Sequence, residues 1–432
     1  MRGIVSQPQP EDGLPNMKIH KKKGFNIQPI LERLSEERTL NPDGSVRVSG
    51  FGLLEEFESY LRTAVTFEGR TDAFARRIVK KAMNAEQRMT EQQFVDHCVR
   101  ISQIESRKNL RLFKVLFPIW GSISVLSGRR RWGDVSITFD IRKNSKFARR
   151  AMADRANQLA RYKQKTSLEV GDFASLPLAL CSAKGIDVHD AFEQAERAIS
   201  KELGLYSLIS SRNQFIVSNV PDKPINTILL APHMTAHDTT GEIVSDIFWY
   251  NRWSASMTEK ARSNQEVDRI VRNVDRVRSR LRKLPWRERA EEALLRHYSA
   301  FSQCDLESSF LDGWRLLESM GGHRNEAGET LVKRAAWFFE DREFQYQVGR
   351  HLMERRNLIS HGRPVRDENG ECLAFQMKQF LTPFLHALLT NPFDFESIEE
   401  FWGFCDLPVD RNIRLRRAYL LDCSSKFRRE VS

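Results

Sequence analysis

The chain has 432 residues, 41% of them hydrophobic and 29% charged, which allows two or three domains and a sizeable core. A small disulfide-stapled scaffold and a disordered or fibrous chain are thereby excluded. Lysine and arginine total 68 against 57 aspartate and glutamate, a formal net charge of +11 that favours nucleic acid or another polyanion as partner but identifies no chemistry.

The six cysteines, Cys98, Cys181, Cys304, Cys372, Cys405 and Cys423, lie far apart with no CxxC pair, the pattern of a reducing compartment without a zinc site. The N-terminal stretch lacks the apolar region of a signal peptide, and no run approaches the ~18 apolar residues of a membrane span. A cytoplasmic protein with no membrane partner, no metal and no cofactor is expected.

Residues 1–27 mix Pro, Gly and polar residues around Lys21, Lys22 and Lys23, and read as a flexible basic arm. Residues 28–258 read as an α+β regulatory or sensor region. Its first part is helical, with Leu53, Leu54, Phe57 and Leu61 at helix spacing and Phe74, Ile78 and Val79 likewise. The period then shortens: 112–126 is rich in Phe, Val, Ile and Trp, and Val135, Ile137, Phe139 and Ile141 alternate with polar residues, as in strands. Between them, SGRRRWGD is expected to carry Arg129, Arg130, Arg131 and Trp132 at a hairpin tip. Arginines beside an aromatic can grip phosphates and stack a base, so these four are candidate RNA-binding residues; a plain exposed loop is the competing reading. A helix over 188–203 and two strand-like runs, 214–220 and 227–231, joined by the turn chemistry of PDKP, complete a small, mostly antiparallel sheet.

The segment APHMTAHDTTGE gathers His233, His237, Asp238 and Glu242. On a helix the two histidines would share a face and could hold a metal. The glutamate of HExxH is missing, however, and Pro232 with Thr239, Thr240 and Gly241 favours a polar loop.

Residues 259–285 form a basic amphipathic helix whose seam of Val267, Ile270, Val274, Val277, Leu281 and Leu284 either packs on its own domain or dimerises. Pro285 ends it. Four helices then follow at short intervals, about 286–303, 305–320, 329–340 and 344–362, with a fifth at 373–389. Short linkers make neighbours antiparallel, hence a helical bundle over 286–392. In the tail, 393–432, the aromatics Phe393, Phe395, Phe401, Trp402 and Phe404 are expected to cap that bundle, ahead of a basic run at Arg411, Arg414, Arg416 and Arg417. The expected fold class is mainly α, an N-terminal α+β region with a small antiparallel sheet followed by the bundle.

The fourth bundle helix ends in Arg356-Asn357-Leu358-Ile359-Ser360-His361-Gly362. An arginine keeps its proton, so Arg356 can only bind and neutralise, and its planar fork suits a phosphate. His361 titrates near neutrality and can take and return protons. With no metal-ligand cluster beside them, the pair suits a substrate that carries its own nucleophile, as RNA does in its 2′-hydroxyl. Residues five apart on a helix of 3.6 residues per turn point about 140° away from each other. Either the helix unwinds before Gly362, or the site combines two chains. Read as helix-end chemistry alone, Arg355, Arg356 and His361 complement the dipole at a C-terminus.

The R-x4-H pattern with a polar residue after the Arg and Gly after the His, together with FLDGWRLLESM before it and HLMERRNLISHG around it, resembles the HEPN superfamily in its Apea-like branch, over residues 286–392. The resemblance implies a metal-independent endoribonuclease acting by 2′-hydroxyl transesterification, with a composite site in a homodimer. It also implies a toxin or abortive-infection role in bacterial defence against phage, with RNA, tRNA included, as substrate and a separate antitoxin or phage-derived trigger as partner. In such a site Arg356 and His361 are catalytic, Asn357 orients His361 or a phosphate oxygen, and Glu318 and Arg355 support them. The alternative is a non-catalytic RNA-binding or dimerisation scaffold built on the same bundle.

Overall fold

The structure is a computed structural model that describes residues 19–41, 45–50, 52–68, 71–106, 110–121, 123–139, 141, 145–165, 176–210, 224–247, 263–323, 326–360 and 370–428. Its first part comprises β1 (Ile19–Lys21), α1 (Gln28–Glu37), β2 (Arg38–Leu40), β3 (Val46–Val48), α2 (Leu53–Ala64), β4 (Val65–Phe67), α3 (Asp72–Met83) and α4 (Glu91–Ser106). The expected helical spacing is what buries Phe57 and Leu61 on α2 and Phe74, Ile78 and Val79 on α3. Thr71 caps α3, its hydroxyl accepting from the Phe74 N–H at 3.1 Å. With Ile27, Leu31, Leu34, Phe94 and Cys98 these residues close a hydrophobic cluster of their own.

The basic arm ends earlier than expected. Ile19–Lys21 pairs antiparallel with β4, and Lys21 donates to the Phe25 carbonyl at 2.7 Å and forms an ion pair with Glu91. Residues 1–18 lie outside the described residues.

Next come β5 (Arg111–Gly121), a 3-10 turn at Ile123–Val125, β6 (Arg129–Trp132), β7 (Val135–Thr138), α5 (Lys146–Lys165), β8 (Leu178–Gly185), α6 (Val188–Ser210), β9 (Ile228–Leu230), β10 (Met234–His237) and β11 (Ile243–Ile247). They form a seven-stranded sheet in the order β11-β10-β5-β8-β7-β6, with β9 beside the end of β5. All its pairings are antiparallel, and the long β5 is the spine, with Val115 opposite Cys181 of β8 and Ala236 of β10. Helix α6 covers the sheet with Ala191, Ala195, Ile199, Leu203 and Tyr206, all fully buried.

Two local expectations change. Arg129–Trp132 is a strand, not a hairpin tip; the turn lies beyond it at Gly133 and Asp134, because Trp132 is drawn inward opposite Val135. The stretch from Met234 to His237, read as a polar loop, is β10, with all four residues buried against β5 and β11. The 227–231 run is β9, whereas 214–220 lies outside the described residues.

The remainder is helical: α7 (Asn264–Leu281), α8 (Arg287–Phe301), α9 (Leu306–Gly321), α10 (Gly328–Ala336), α11 (Arg342–Ser360), α12 (Gly370–Thr390), α13 (Ile398–Cys405) and α14 (Arg411–Arg428). The α7 seam of Ile270, Val274, Val277 and Leu281 is buried within the chain, against α6 and α12. Phe401 of α13 stacks on Phe338 and Phe384, and the Trp402 Nε1–H donates to the Met320 carbonyl at 2.9 Å, so these two seal the bundle while Phe393 stays exposed.

The expected division near residue 285 does not coincide with a break in the core. One hydrophobic cluster runs from Phe113 to Cys405, and the break falls between Cys98 and Phe113. At the junction of sheet and bundle, Asn226 donates from its N–H to the Phe301 carbonyl at 2.9 Å and the Leu230 N–H donates to the Tyr298 hydroxyl at 2.8 Å. Gly204 allows α6 to cross α8 closely: a Cβ there would lie 2.7 Å from the Leu294 carbonyl oxygen. The N-terminal unit is tied to α6 through polar groups, with Glu193 accepting from the Asp72 and Ala73 N–H groups at 2.8 and 2.7 Å. Among the described residues no helix is long and apolar enough to cross a membrane.

Candidate active site at the end of α11

Helix α9 starts at Asp305, whose carboxylate accepts from the N–H groups of Glu307 and Ser308. Its apolar stripe of Phe310, Trp314, Leu317 and Met320 is buried in the bundle. One turn beyond Trp314, Glu318 emerges toward the surface. The indole Nε1–H of the buried Trp314 donates to Glu318 Oε1 at 2.8 Å, which fixes the carboxylate on the bundle rim.

Helix α11 lies on the outside of the bundle, with Gly349 and Leu352 as its buried residues. The absence of a side chain at Gly349 lets α11 approach α10 and α12, since a Cβ would stand 2.5 Å from Val332 Cγ1 and 2.6 Å from Phe380 Cζ. Seven residues on, close to the same helical face, comes Arg356. Its Nη2 meets Glu318 Oε1 at 3.1 Å, and its Nη1 donates to Asn357 Oδ1 at 3.2 Å. Arg356 and Glu318 keep 38% and 42% of their side-chain surface exposed. The guanidinium is thus oriented from one side and open on the other. Of its five N–H donors, those not facing Glu318 and Asn357 remain for an anion. Arg355 is half-buried beside it.

The structure brings together Arg356, Asn357 and Glu318 of the predicted set. His361 directly follows the end of α11 and lies outside the described residues. Trp314 is not among the residues singled out from the sequence; its spacing of four from Glu318 is the available signal.

The other candidates are placed differently. Arg129 and Arg131 are exposed on β6, but Trp132 is buried and donates its Nε1–H to Glu202 at 2.8 Å, so it offers no face to a base. His237 bonds the Gly241 carbonyl at 3.0 Å and the Thr235 hydroxyl at 2.9 Å, while His233 lies 3.3 Å from Asp246. Burial, reinforced by nearby Arg155, pushes His233 down to about 4, and burial lowers His237 as well. Both are buried and engaged by neighbours, His237 within β10 and His233 directly before it. Among the described residues no group of three His, Cys, Asp or Glu is arranged to hold a metal ion.

Comparison of the chain with protein-family models, with curated proteins and with solved structures returns no match.

Proposed function

We propose that this protein is a metal-independent endoribonuclease whose active site lies at the end of α11. The observation that carries this reading is the Trp314–Glu318–Arg356–Asn357 chain, which presents an oriented, half-exposed guanidinium five residues before His361 in the sequence. In the reaction, Arg356 holds the non-bridging oxygens of a phosphodiester and neutralises the charge that builds on them. A histidine takes the proton of the adjacent 2′-hydroxyl, whose oxygen attacks phosphorus. The 5′-oxygen leaves with a proton, giving a 2′,3′-cyclic phosphate and a 5′-hydroxyl. In a homodimer the base and acid are His361 and His361 of the partner subunit. By its resemblance to the HEPN superfamily, such an enzyme would act in bacterial defence against phage, under control of a separate antitoxin or trigger.

The test is incubation of wild type, Arg356→Ala and His361→Ala with total RNA in excess EDTA. Wild type is expected to cleave, and His361→Ala to lose about 10²–10⁴-fold, the usual contribution of acid–base catalysis. Equal cleavage by wild type and His361→Ala would overturn the assignment. A second reading, a non-catalytic RNA-binding scaffold, is favoured by the exposed Arg129 and Arg131; it predicts RNA bound intact by all three proteins.

A further inference from the structure

Strand β6 and helix α7 face each other across an open trough of about 630 Å³, lined by Arg129, Arg130 and Arg131 on the strand, Asp275 and Arg278 on the helix and Arg282 at the helix's C-terminal cap. Five of these six side chains are guanidiniums. The floor is built from a buried carboxylate: Glu202 of α6 is fully buried, with Arg278 Nη2 at 2.6 Å, the Trp132 Nε1–H at 2.8 Å and Arg130 Nε at 3.6 Å. Burial raises the Glu202 carboxyl, against the pull of Arg278 and the Trp132 N–H. Arg278 also pairs with Asp275, and Arg131 with Asp134 at 3.4 Å. Among the described residues none of these carboxylates pairs with Arg129 or Arg282. The trough therefore carries more positive charge than its own acids balance, and Arg278 is held in orientation by a carboxylate that no solvent reaches.

We propose that this trough binds a run of phosphate groups. Arg129, Arg131 and Arg282 take the anion, and Arg278, held by Glu202, adds its charge at the floor. Residues two apart on a strand stand about 7 Å apart, so Arg129 and Arg131 suit two separate phosphates better than one. The exposed lining contains no aromatic ring, since Trp132 faces inward, so recognition is of phosphate rather than base. Two sources carry this chemistry, the backbone of an RNA strand and a free nucleoside polyphosphate. The inference does not depend on the chemistry proposed for Arg356.

The experiment is fluorescence anisotropy with a labelled, single-stranded 2′-O-methyl oligonucleotide, which keeps the phosphate backbone and cannot be cleaved through its 2′-oxygen. The proteins are wild type, Arg129→Ala/Arg282→Ala and, as a charge-matched control away from the trough, Arg315→Ala/Arg417→Ala. ATP is added as competitor in a parallel series, and direct ATP binding is measured by calorimetry. The trough variant is expected to bind about tenfold more weakly than wild type. Its log–log salt slope should be shallower by about 1.4, since each lost contact on a single strand removes about 0.7. The control should match wild type. Loss of oligonucleotide binding that ATP does not compete assigns the trough to an RNA backbone; ATP binding lost in the same variant assigns it to a nucleotide. Wild type that binds neither ligand, or a trough variant indistinguishable from the control, overturns the proposal.

Discussion

Replacing Gly204 by alanine tests the seam between sheet and bundle. In an isolated helix the change would stabilise by about 1 kcal/mol, because alanine has the higher helix propensity. At this crossing the added Cβ would lie 2.7 Å from the Leu294 carbonyl oxygen and 3.3 Å from its carbon, and both are backbone atoms of α8 that cannot rotate aside. The helices must separate by several tenths of an ångström along an interface that also contains Tyr298. Overpacking of this kind costs about 1–3 kcal/mol. With a rigid neighbour the upper end applies, so the net effect is a loss of about 1–2 kcal/mol. Gly403 on α13 provides the opposite case: a Cβ there meets nothing within 4 Å, so Gly403→Ala should stabilise by up to about 1 kcal/mol. Thermal unfolding followed by circular dichroism reads both, the first with a lower Tm and the second with a higher one. If Gly204→Ala raised the Tm as Gly403→Ala does, the close crossing of α6 and α8, and with it the shared core of sheet and bundle, would be refuted.

Three further outcomes follow from the structure. Glu318→Gln keeps an acceptor for the Trp314 N–H but removes the charge that holds Arg356; it should change stability by less than about 1 kcal/mol, as befits a half-exposed pair, while lowering the rate of RNA cleavage. His297 is fully buried with no hydrogen-bond partner for either ring nitrogen among the described residues, and burial, with Lys378 nearby, pushes it down to about 3. Because the unfolded chain binds this proton near the ordinary pKa of about 6.5, stability is highest above that pH and falls as the pH drops toward 3, by about 1.4 kcal/mol per unit. Urea unfolding of His297→Leu across this window should show a shallower acid limb than wild type. Trp402→Phe removes the N–H donated to the Met320 carbonyl inside the bundle and should cost about 1–2 kcal/mol in the same assay.

The bundle was legible in the sequence because long apolar-bearing segments are separated by short polar breaks, which places α8, α9, α11 and α12 to within a few residues. The same holds for the α7 seam, although the choice between packing inward and dimerising depended on α6 and α12, which its spacing does not encode. β6 was misread because three consecutive arginines resemble a loop; only the pull of Glu202 on Trp132, across 70 residues of sequence, turns the segment into an edge strand. β10 was misread for the converse reason: histidine and threonine look solvent-seeking, yet here His237 is satisfied by Thr235 and Gly241 inside the sheet. At the candidate site, Arg356 and Asn357 are neighbours in sequence, but Glu318 lies 38 residues away on another helix, and no local periodicity joins them. The arginine trough was half visible: Arg129 to Arg131 stood out by charge, while Arg278 and Arg282 were lost in an evenly basic helix.

The most direct test of the central claim uses a short RNA and its twin carrying a single 2′-deoxy residue at the cleaved position, both incubated with wild-type protein in excess EDTA. The account predicts cleavage of the all-ribose strand to a 2′,3′-cyclic phosphate and a 5′-hydroxyl, no cleavage of the deoxy-substituted strand at that position, and loss of both products in Arg356→Ala and His361→Ala. Equal cutting of the two strands, or cutting that stops when EDTA is added, would contradict it.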